Sequence, residues 1–554
     1  MEIIALGAAY IISFILSRMG MYAASGILLM AAAVILAGYY CIKYGRRINP
    51  PAVFSISWIG GIGIACLKLS YLETDWETLT WAALFAAYAA FAAGYKLVRC
   101  KAFRDKYSKC TDGSQKQESG LTQNAAAESD LKSDSDDSIS AERVLNRRSL
   151  PSGEGKALYI MMNAVALISV VSLIIEAALL GYIPLFTVDT PHAYSYFHIS
   201  GLHYFTVSCC LLPALGTLCI WQELMSGRQY TEDLGRYATN TVDNKKRGNN
   251  ASIGLAKRAD IIICMSIGVL IPILLVSRYQ LFFGILLAGF CILILNGMRF
   301  RIKLNIKHVL AAAACCFILI MLYVFITIER AHSVEYLNGI FEMKYKSLPI
   351  FISQPYIYIA NNFDNFNCLV KELPSHTHGL RMLFPVIALT GLKFLKPELA
   401  AFPIYVTKEE LTTVTLIYDS YYDFGLAGVI LFAMALGAAA ALIERRVLRD
   451  EYGECAKAIA KSCVCNEDTE NATGMQESGG TGQAASGSVG KAVSGSNPFT
   501  ILLYAQVMIY LSLAFFTTWL SNPTTWFLFG VTVIGMILVR VMKRRKFRAR
   551  HVDE

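Results

Sequence analysis

The stretch LLVSRYQLFFGILL, residues 274–287, places Arg278 near the middle of an apolar run that extends from Ile261 to Leu295. A bilayer-spanning helix needs about 20 apolar residues, and this run is close to twice that length. It therefore reads as two antiparallel helices joined at a turn, with Arg278 at the turn. A guanidinium at the bilayer centre costs roughly 2.5–3.5 kcal/mol, whereas one near an interface reaches water along its own stem at little cost. Position at the membrane surface, not tolerance of a charge in lipid, accounts for the arginine.

The same length argument extends over the chain. Of its 554 residues, 55% are hydrophobic and 16% charged, and the mean hydropathy is +0.46. That is more apolar surface than a soluble domain buries. The expected fold is all-α: a polytopic membrane protein with about twelve transmembrane helices, at 2–17, 21–42, 51–70, 79–98, 157–180, 202–222, 259–277, 279–297, 308–328, 424–443, 499–517 and 524–541. The first segment lacks the basic start and small-residue cleavage site of a signal peptide, so it is expected to stay in the mature chain.

Lysine and arginine set the orientation, because cytoplasmic flanks of spanning helices are enriched in both. Lys43, Arg46 and Arg47 share one side with Lys96 to Lys109, Arg228 to Arg258, Arg299 to Lys307, Arg445 to Arg449 and the tail KRRKFRAR at 543–550. Both termini are thus expected in the cytoplasm. These basic stops account for the net charge of +9, and no nucleic-acid partner is read from it.

Composition divides the chain further. A four-helix membrane region, 1–110, precedes a serine- and aspartate-rich cytoplasmic insert, 111–156. A central membrane region, 157–328, carries a flexible insert at 226–256. A long outer loop, 329–423, leads to the helix at 424–443. A mostly disordered insert, 444–498, a helix pair, 499–541, and a basic tail, 542–554, complete the chain. The inserts hold too little apolar surface to fold alone. Within the outer loop, LRMLFPVIALTGLKFL at 380–395 is too short for a span and is flanked by Arg381, Lys393 and Lys396. The segment 380–396 therefore reads as an interfacial or re-entrant helix.

Most of the fifteen cysteines fall in predicted helices or on the cytoplasmic side. Cys368, in the outer loop, has no neighbour to pair with. Cys455, Cys463 and Cys465 have no histidine nearby and fall short of a zinc pattern. No metal site or cofactor is expected. The sequence has no Walker loop, dinucleotide fingerprint or His-Glu-x-x-His pattern, which argues against an ATP-driven pump and a zinc protease. The DFG at 423–425 lacks every other kinase element.

Polar chemistry gathers on the outer side. His192, His198, His203, His332, His376 and His378 map there, leaving His308 and His551 inside. A histidine in an interfacial loop is most often only tolerated there, but HTH at 376–378 sets two imidazoles beside Arg381. Arg18, Arg278, Arg330 and Arg381 are essentially the outer arginines. Arg278, Arg330 and Arg381 together suit a diphosphate, which bidentate guanidinium hydrogen bonds recognise. Tyr418, Asp419, Tyr421, Tyr422 and Asp423 offer hydroxyls and carboxylates at the mouth of the tenth helix. The aromatic run LPIFISQPYIYIANNF, 348–363, suits stacking on sugars, although interfacial aromatic belts are the commoner cause.

GYIPLF at 181–186, GLHYF at 201–205, SR at 277–278 between paired helices, the long loop after the ninth helix and YDFGLAG at 422–428 occur in an order and placement that resembles bacterial oligosaccharide repeat-unit polymerases of the Wzy type. The resemblance covers most of the membrane region and excludes the inserts. It implies metal-independent glycosyl transfer at the outer face of a bacterial cytoplasmic membrane, in O-antigen or capsular polysaccharide synthesis. The growing glycan, carried on polyprenyl (undecaprenyl) diphosphate, is moved to an incoming lipid-linked repeat unit. A flippase and a chain-length regulator are the implied partners. On this view Arg278, Arg330 and Arg381 meet the diphosphate, with Tyr418 and Asp419 beside them. His376 or His378 is the base, Asp423 is its runner-up, and His203 and Tyr204 line the substrate path. An O-antigen ligase, or a flippase or transporter of the same lipid-linked sugar, stays open as an alternative. A transporter is expected to carry midplane charges and internal repeats, and neither is evident here.

Overall fold

A computed structural model describes residues 2–45, 48–120, 152–187, 193–223, 244–296, 334–345, 348–467 and 497–552. Among them the chain is all-helical apart from an isolated bridge between Ser70 and Met343. In chain order the helices are α1 (Glu2–Arg18), α2 (Tyr22–Lys43), α3 (Pro50–Ala65, with a π-helical turn at Ser55–Ile59), α4 (Thr78–Gly120), α5 (Ser152–Leu180) and α6 (His203–Glu223). There follow α7 (Asn244–Leu274), α8 (Arg278–Leu295), α9 (Val334–Phe341), α10 (Ile350–Glu372), α11 (Phe384–Leu389), α12 (Leu392–Leu395), α13 (Tyr418–Glu467), α14 (Pro498–Ser512) and α15 (Pro523–Val552). Among the described residues seven stretches are long and apolar enough to cross a membrane: α2, Thr78–Arg99, Glu154–Leu180, α6, α8, Tyr418–Leu448 and Pro523–Met542. α3 and α14 are apolar but shorter. This is the architecture of a multi-pass membrane protein. The ninth expected span, 308–328, lies outside the described residues, as do Arg330, His332 and His192.

Large apolar side chains stand exposed on the outer faces of the helices as well as filling the core. α1 turns Leu6, Tyr10, Ser13 and Ser17 inward, while Ile4, Ile11 and Ile15 stand exposed. The inward serine is paired, since the Ser13 and Ser25 hydroxyls lie 2.6 Å apart across α1 and α2. In lipid, isoleucine gains nothing by burial, so small and polar residues take the interfaces between helices. Glycines do the same for α4 and α13, where an added Cβ at Gly94 would collide with Met434 O and one at Gly437 with Phe91 O.

Polar contacts collect at two ends of the bundle. At one, Glu2 pairs with Lys43 at 3.5 Å and with Lys96, and Tyr95 and Arg99 bind the buried Glu444. At the other, Arg18 donates to Trp76 O at 3.0 Å, Tyr22 to Asp75 at 3.1 Å, and Lys68 pairs with Asp75. Alternate helix ends meet as the hairpin reading of the sequence requires. Lys43, Lys96 and Arg99 share the first end, and the long-loop residues Glu342 to Lys344 meet Leu69 to Tyr71 at the second.

Two features differ from expectation. α4 continues to Gly120 and α13 to Glu467, beyond the predicted insert boundaries at 110 and 444. The segment 380–396 is not one helix but the short α11 and α12, broken at Gly391 with φ of +75°. Six residues of α-helix span only about 9 Å, too little to re-enter a bilayer deeply. The segment instead exposes Leu383, Val386, Phe394 and Leu395 along the bundle surface.

The glycine contacts predict a specific sensitivity. Gly94→Ala and Gly437→Ala each force the α4–α13 backbones apart, with overpacking costs of about 1–3 kcal/mol, and lower the thermal midpoint of the detergent-purified protein. Gly530→Ala, where an added methyl meets nothing, leaves the midpoint in place.

Candidate functional site

Tyr418, Asp419, Tyr421, Tyr422 and Asp423 occupy the first turns of α13, which kinks at Gly425, with φ of 60° and ψ of −147°. That backbone conformation is essentially confined to glycine. A side chain there would also strike the ring of His376, whose Nε2 lies 3.0 Å from an ideal Cβ. The kink sets the opening segment of α13 apart as a platform, and the HTHGLRM loop is stitched onto it. His376 Nδ1 donates to Tyr422 O at 3.2 Å, and the amides of Thr377 and His378 donate to Tyr422 O and Asp423 O. The Asp423 carboxylate accepts from Arg381 N at 3.2 Å, from Met382 N at 2.8 Å and from the Thr377 hydroxyl. It is fully buried. With its oxygens committed to three donors, Asp423 anchors the loop and is not the open base that its position in the sequence offered. His376 and His378 are exposed beside it, His378 with φ of 52°.

This stitching orients Arg381. Its Nε donates to Asp419, and its guanidinium lies over the rings of Tyr422, Tyr418 and Phe402 at 4.8, 5.4 and 5.7 Å. Tyr418 is locked in turn, donating to Tyr405 O at 3.0 Å and accepting from Tyr405 N at 2.8 Å. Burial alone would draw the Arg381 pKa down, but the Asp419 charge and the tyrosines outweigh it and hold the group above its ordinary value. A planar cation is thus fixed in direction, with its terminal amines bound to no other described residue.

Arg278 has a different anchor. It heads α8 as expected, yet it is buried, with 8% exposure, and its Nη1 donates to Gln354 Oε1 of α10 at 2.9 Å. Its charge is met by protein, so the solvent-reaching explanation is replaced by a hydrogen-bonded one. His203 and Tyr204 form a third group. Tyr204 stacks on Phe527 of α15 at 5.8 Å, and His203 Nδ1 donates to the buried Glu176 of α5 at 3.1 Å. The structure thus brings His376, His378, Arg381, Tyr418, Asp419 and Asp423 together. Arg278 belongs to the α10 network and His203 to the Glu176 network.

Sequence reading missed the interior of α10. The stretch from Asn361 to Asn367 holds five buried polar residues, and Phe363 and Phe366 are fully buried in the core, so these rings do not form a sugar platform. Trp76 Nε1 donates to Asp364 at 2.8 Å, Thr80 to Asn367 at 2.7 Å, Thr407 to Asn361 at 2.6 Å and Tyr356 to Glu73 at 2.6 Å. Burial pushes the Glu73 carboxyl up to about 7 and Asp364 well above the usual carboxylate range, the latter raised further by Glu73. The signal available in the sequence was NNFDNFN itself, a polar cluster that a surface belt does not need.

Comparison with models of known protein families, with characterised proteins and with solved structures returns no match to this chain.

Glu73 makes stability depend on pH. The folded chain holds a proton that the unfolded chain releases above about 4.5. This contribution is therefore full below about pH 4.5 and lost as pH rises through about 7. Thermal midpoints measured from pH 4 to 8 are expected to fall across that window, and Glu73→Gln flattens the fall. Equal slopes in the two proteins would remove Glu73 as its source.

Proposed function

We propose that this chain polymerises lipid-linked oligosaccharide repeat units at the outer face of a bacterial cytoplasmic membrane. In this reading it has twelve spans, both termini are cytoplasmic, and the long-loop end faces outward, as the Lys/Arg bias indicates. The growing glycan leaves polyprenyl diphosphate and joins a hydroxyl of the incoming repeat unit. The departing diphosphate is already a good leaving group, so a fixed cation serves in place of a proton donor.

The observation that carries this reading is Arg381. It is held in its charged state, aimed by Asp419 and three aromatic faces, and keeps its terminal amines for a ligand. An oxygen-rich anion such as a diphosphate suits those amines. The exposed apolar side chains of Leu383, Val386, Phe394 and Leu395 follow it directly, and they suit the acyl region in which a polyprenyl tail lies. Asp423 supports the reaction indirectly, by fixing the loop that presents Arg381.

The test is reconstitution of the full chain with polyprenyl-diphosphate-linked repeat units, followed by analysis of product length. The parental protein is expected to give a ladder of polymer. Arg381→Ala lowers elongation by roughly 100- to 1,000-fold, as loss of one transition-state donor does, and Arg381→Lys keeps part of it. In cells, loss of a polymerase leaves single repeat units attached, whereas loss of a ligase leaves none. Parental protein that forms no polymer, or an Arg381→Ala variant that inserts and elongates at the parental rate, rejects the scheme.

A further inference from the structure

Four histidines stand at the long-loop end with defined surroundings: His198, His203, His376 and His378. His376 is held by a backbone carbonyl, Tyr422 O. His203 alone is held by a carboxylate. Glu176 is completely buried near the end of α5, and its oxygens accept His203 Nδ1 at 3.1 and 3.2 Å, the Thr206 hydroxyl at 2.8 Å and Ile199 N at 3.3 Å. A carboxylate fully withdrawn from water is costly unless paired. The imidazole is the only titratable partner among these three donors.

The Nδ1–H bond fixes the tautomer, so the His203 lone pair sits on Nε2. That nitrogen has no partner among the described residues, and the side chain is 22% exposed. The neighbouring titratable and charged groups are Glu176 from α5, His198 from the preceding loop, with ring centroids 5.9 Å apart, and Lys393 from α12. Lys393 donates to Ser200 at 3.4 Å. Burial, and then His203 and Lys393, hold His198 below the ordinary imidazole pKa. The Lys393 contact joins the dyad to the segment that begins at Arg381, and α11 and α6 both pack on α15.

We propose that His203, oriented by Glu176, is the general base that accepts the proton of the acceptor sugar hydroxyl, an inference that rests on the glycosyl-transfer reading above. As the hydroxyl oxygen bonds to the anomeric carbon, its proton passes to His203 Nε2. The bond from that carbon to the diphosphate oxygen breaks, and the electron pair leaves with the diphosphate. Glu176 stabilises the imidazolium, which then returns its proton to solvent. His376 and His378 are left to contact substrate beside Arg381.

The test is the pH profile of elongation by the full-length protein in liposomes holding polyprenyl-diphosphate-linked repeat units. The parental profile is expected to show a rising limb as the general base loses its proton. His203→Gln abolishes that limb and lowers the rate by roughly 100- to 10,000-fold. Glu176→Gln lowers the rate by roughly 10- to 100-fold, the usual consequence of losing such an orienting partner. An inserted His203→Gln protein with the parental rate and limb, alongside an inactive Arg381→Ala, overturns this proposal and leaves polymerase standing; parental protein without activity overturns both. Should His203→Gln fail to accumulate, the parental protein is treated with diethyl pyrocarbonate, which acylates an open imidazole nitrogen. Loss of elongation in step with His203 modification supports the base. Modification without loss, or an unreactive His203, overturns it.

Discussion

An amide or carboxylate withdrawn from water must find a partner, and α10 withdraws five such groups between Asn361 and Asn367. For four of the five the partners come from elsewhere in the chain, Trp76 and Thr80 around the start of α4, and Thr407, Leu411 and Thr413 in the loop before α13, while Asn362 donates to Tyr358 O of its own helix. Gln354 of the same helix receives Arg278 from α8, and Tyr356 reaches Glu73. A single helix therefore ties the same end of several others together. Apolar contacts between helices are nearly as good with lipid as with protein, so in a membrane such hydrogen bonds and close glycine contacts carry much of the specificity. The loop that bears Arg381 then rests on the α13 mouth, whose own approach segment is pinned to α10 through Asn365.

The spanning helices were legible because lipid imposes a length, and the segments predicted at 21–42, 157–180 and 279–297 nearly coincide with α2, the apolar part of α5 and α8. The pairing of helix ends was legible too, since lysine and arginine mark alternate ends: Glu2 meets Lys43 and Lys96 as that order demands. What failed were readings in which one side chain had to be placed without its neighbours. Arg278 was correctly put at the turn of a hairpin, yet the reason for its tolerance was wrong. The protein surrounds it, and Gln354, 76 residues away, accepts a hydrogen bond from it. No local pattern announces such a partner.

Helix α10 escaped for a related reason. Its aromatic and polar residues alternate too irregularly to look like a span, and an outer loop rich in tyrosine and phenylalanine invites the image of a sugar platform. Burial of Phe363 against Trp58 and Trp76, with ring centroids 5.6 and 6.1 Å apart, removes that ring from any such platform. Within 380–396, expected as one interfacial or re-entrant helix, continuity of the apolar pattern concealed a break. Gly391 in the left-handed region divides the segment, and an unbroken apolar pattern on both sides hides the division.

The carboxylates at the long-loop end differ mainly in what faces them, and this sets what each can do. Asp423 is met by backbone amides, which cannot be lost or titrated, so it serves as a fixed anchor. Asp419 is met by a guanidinium, which keeps its proton throughout the accessible range and is only aimed by the contact. Glu73 and Asp364 are met by a phenol and an indole, neutral donors that leave the burial penalty on the charged form, so these groups favour a proton of their own. Glu176 is met by an imidazole, the one partner in the set that carries a second ring nitrogen on its far side. Among these buried acids, therefore, only Glu176 is placed to feel chemistry outside the protein without leaving its own site.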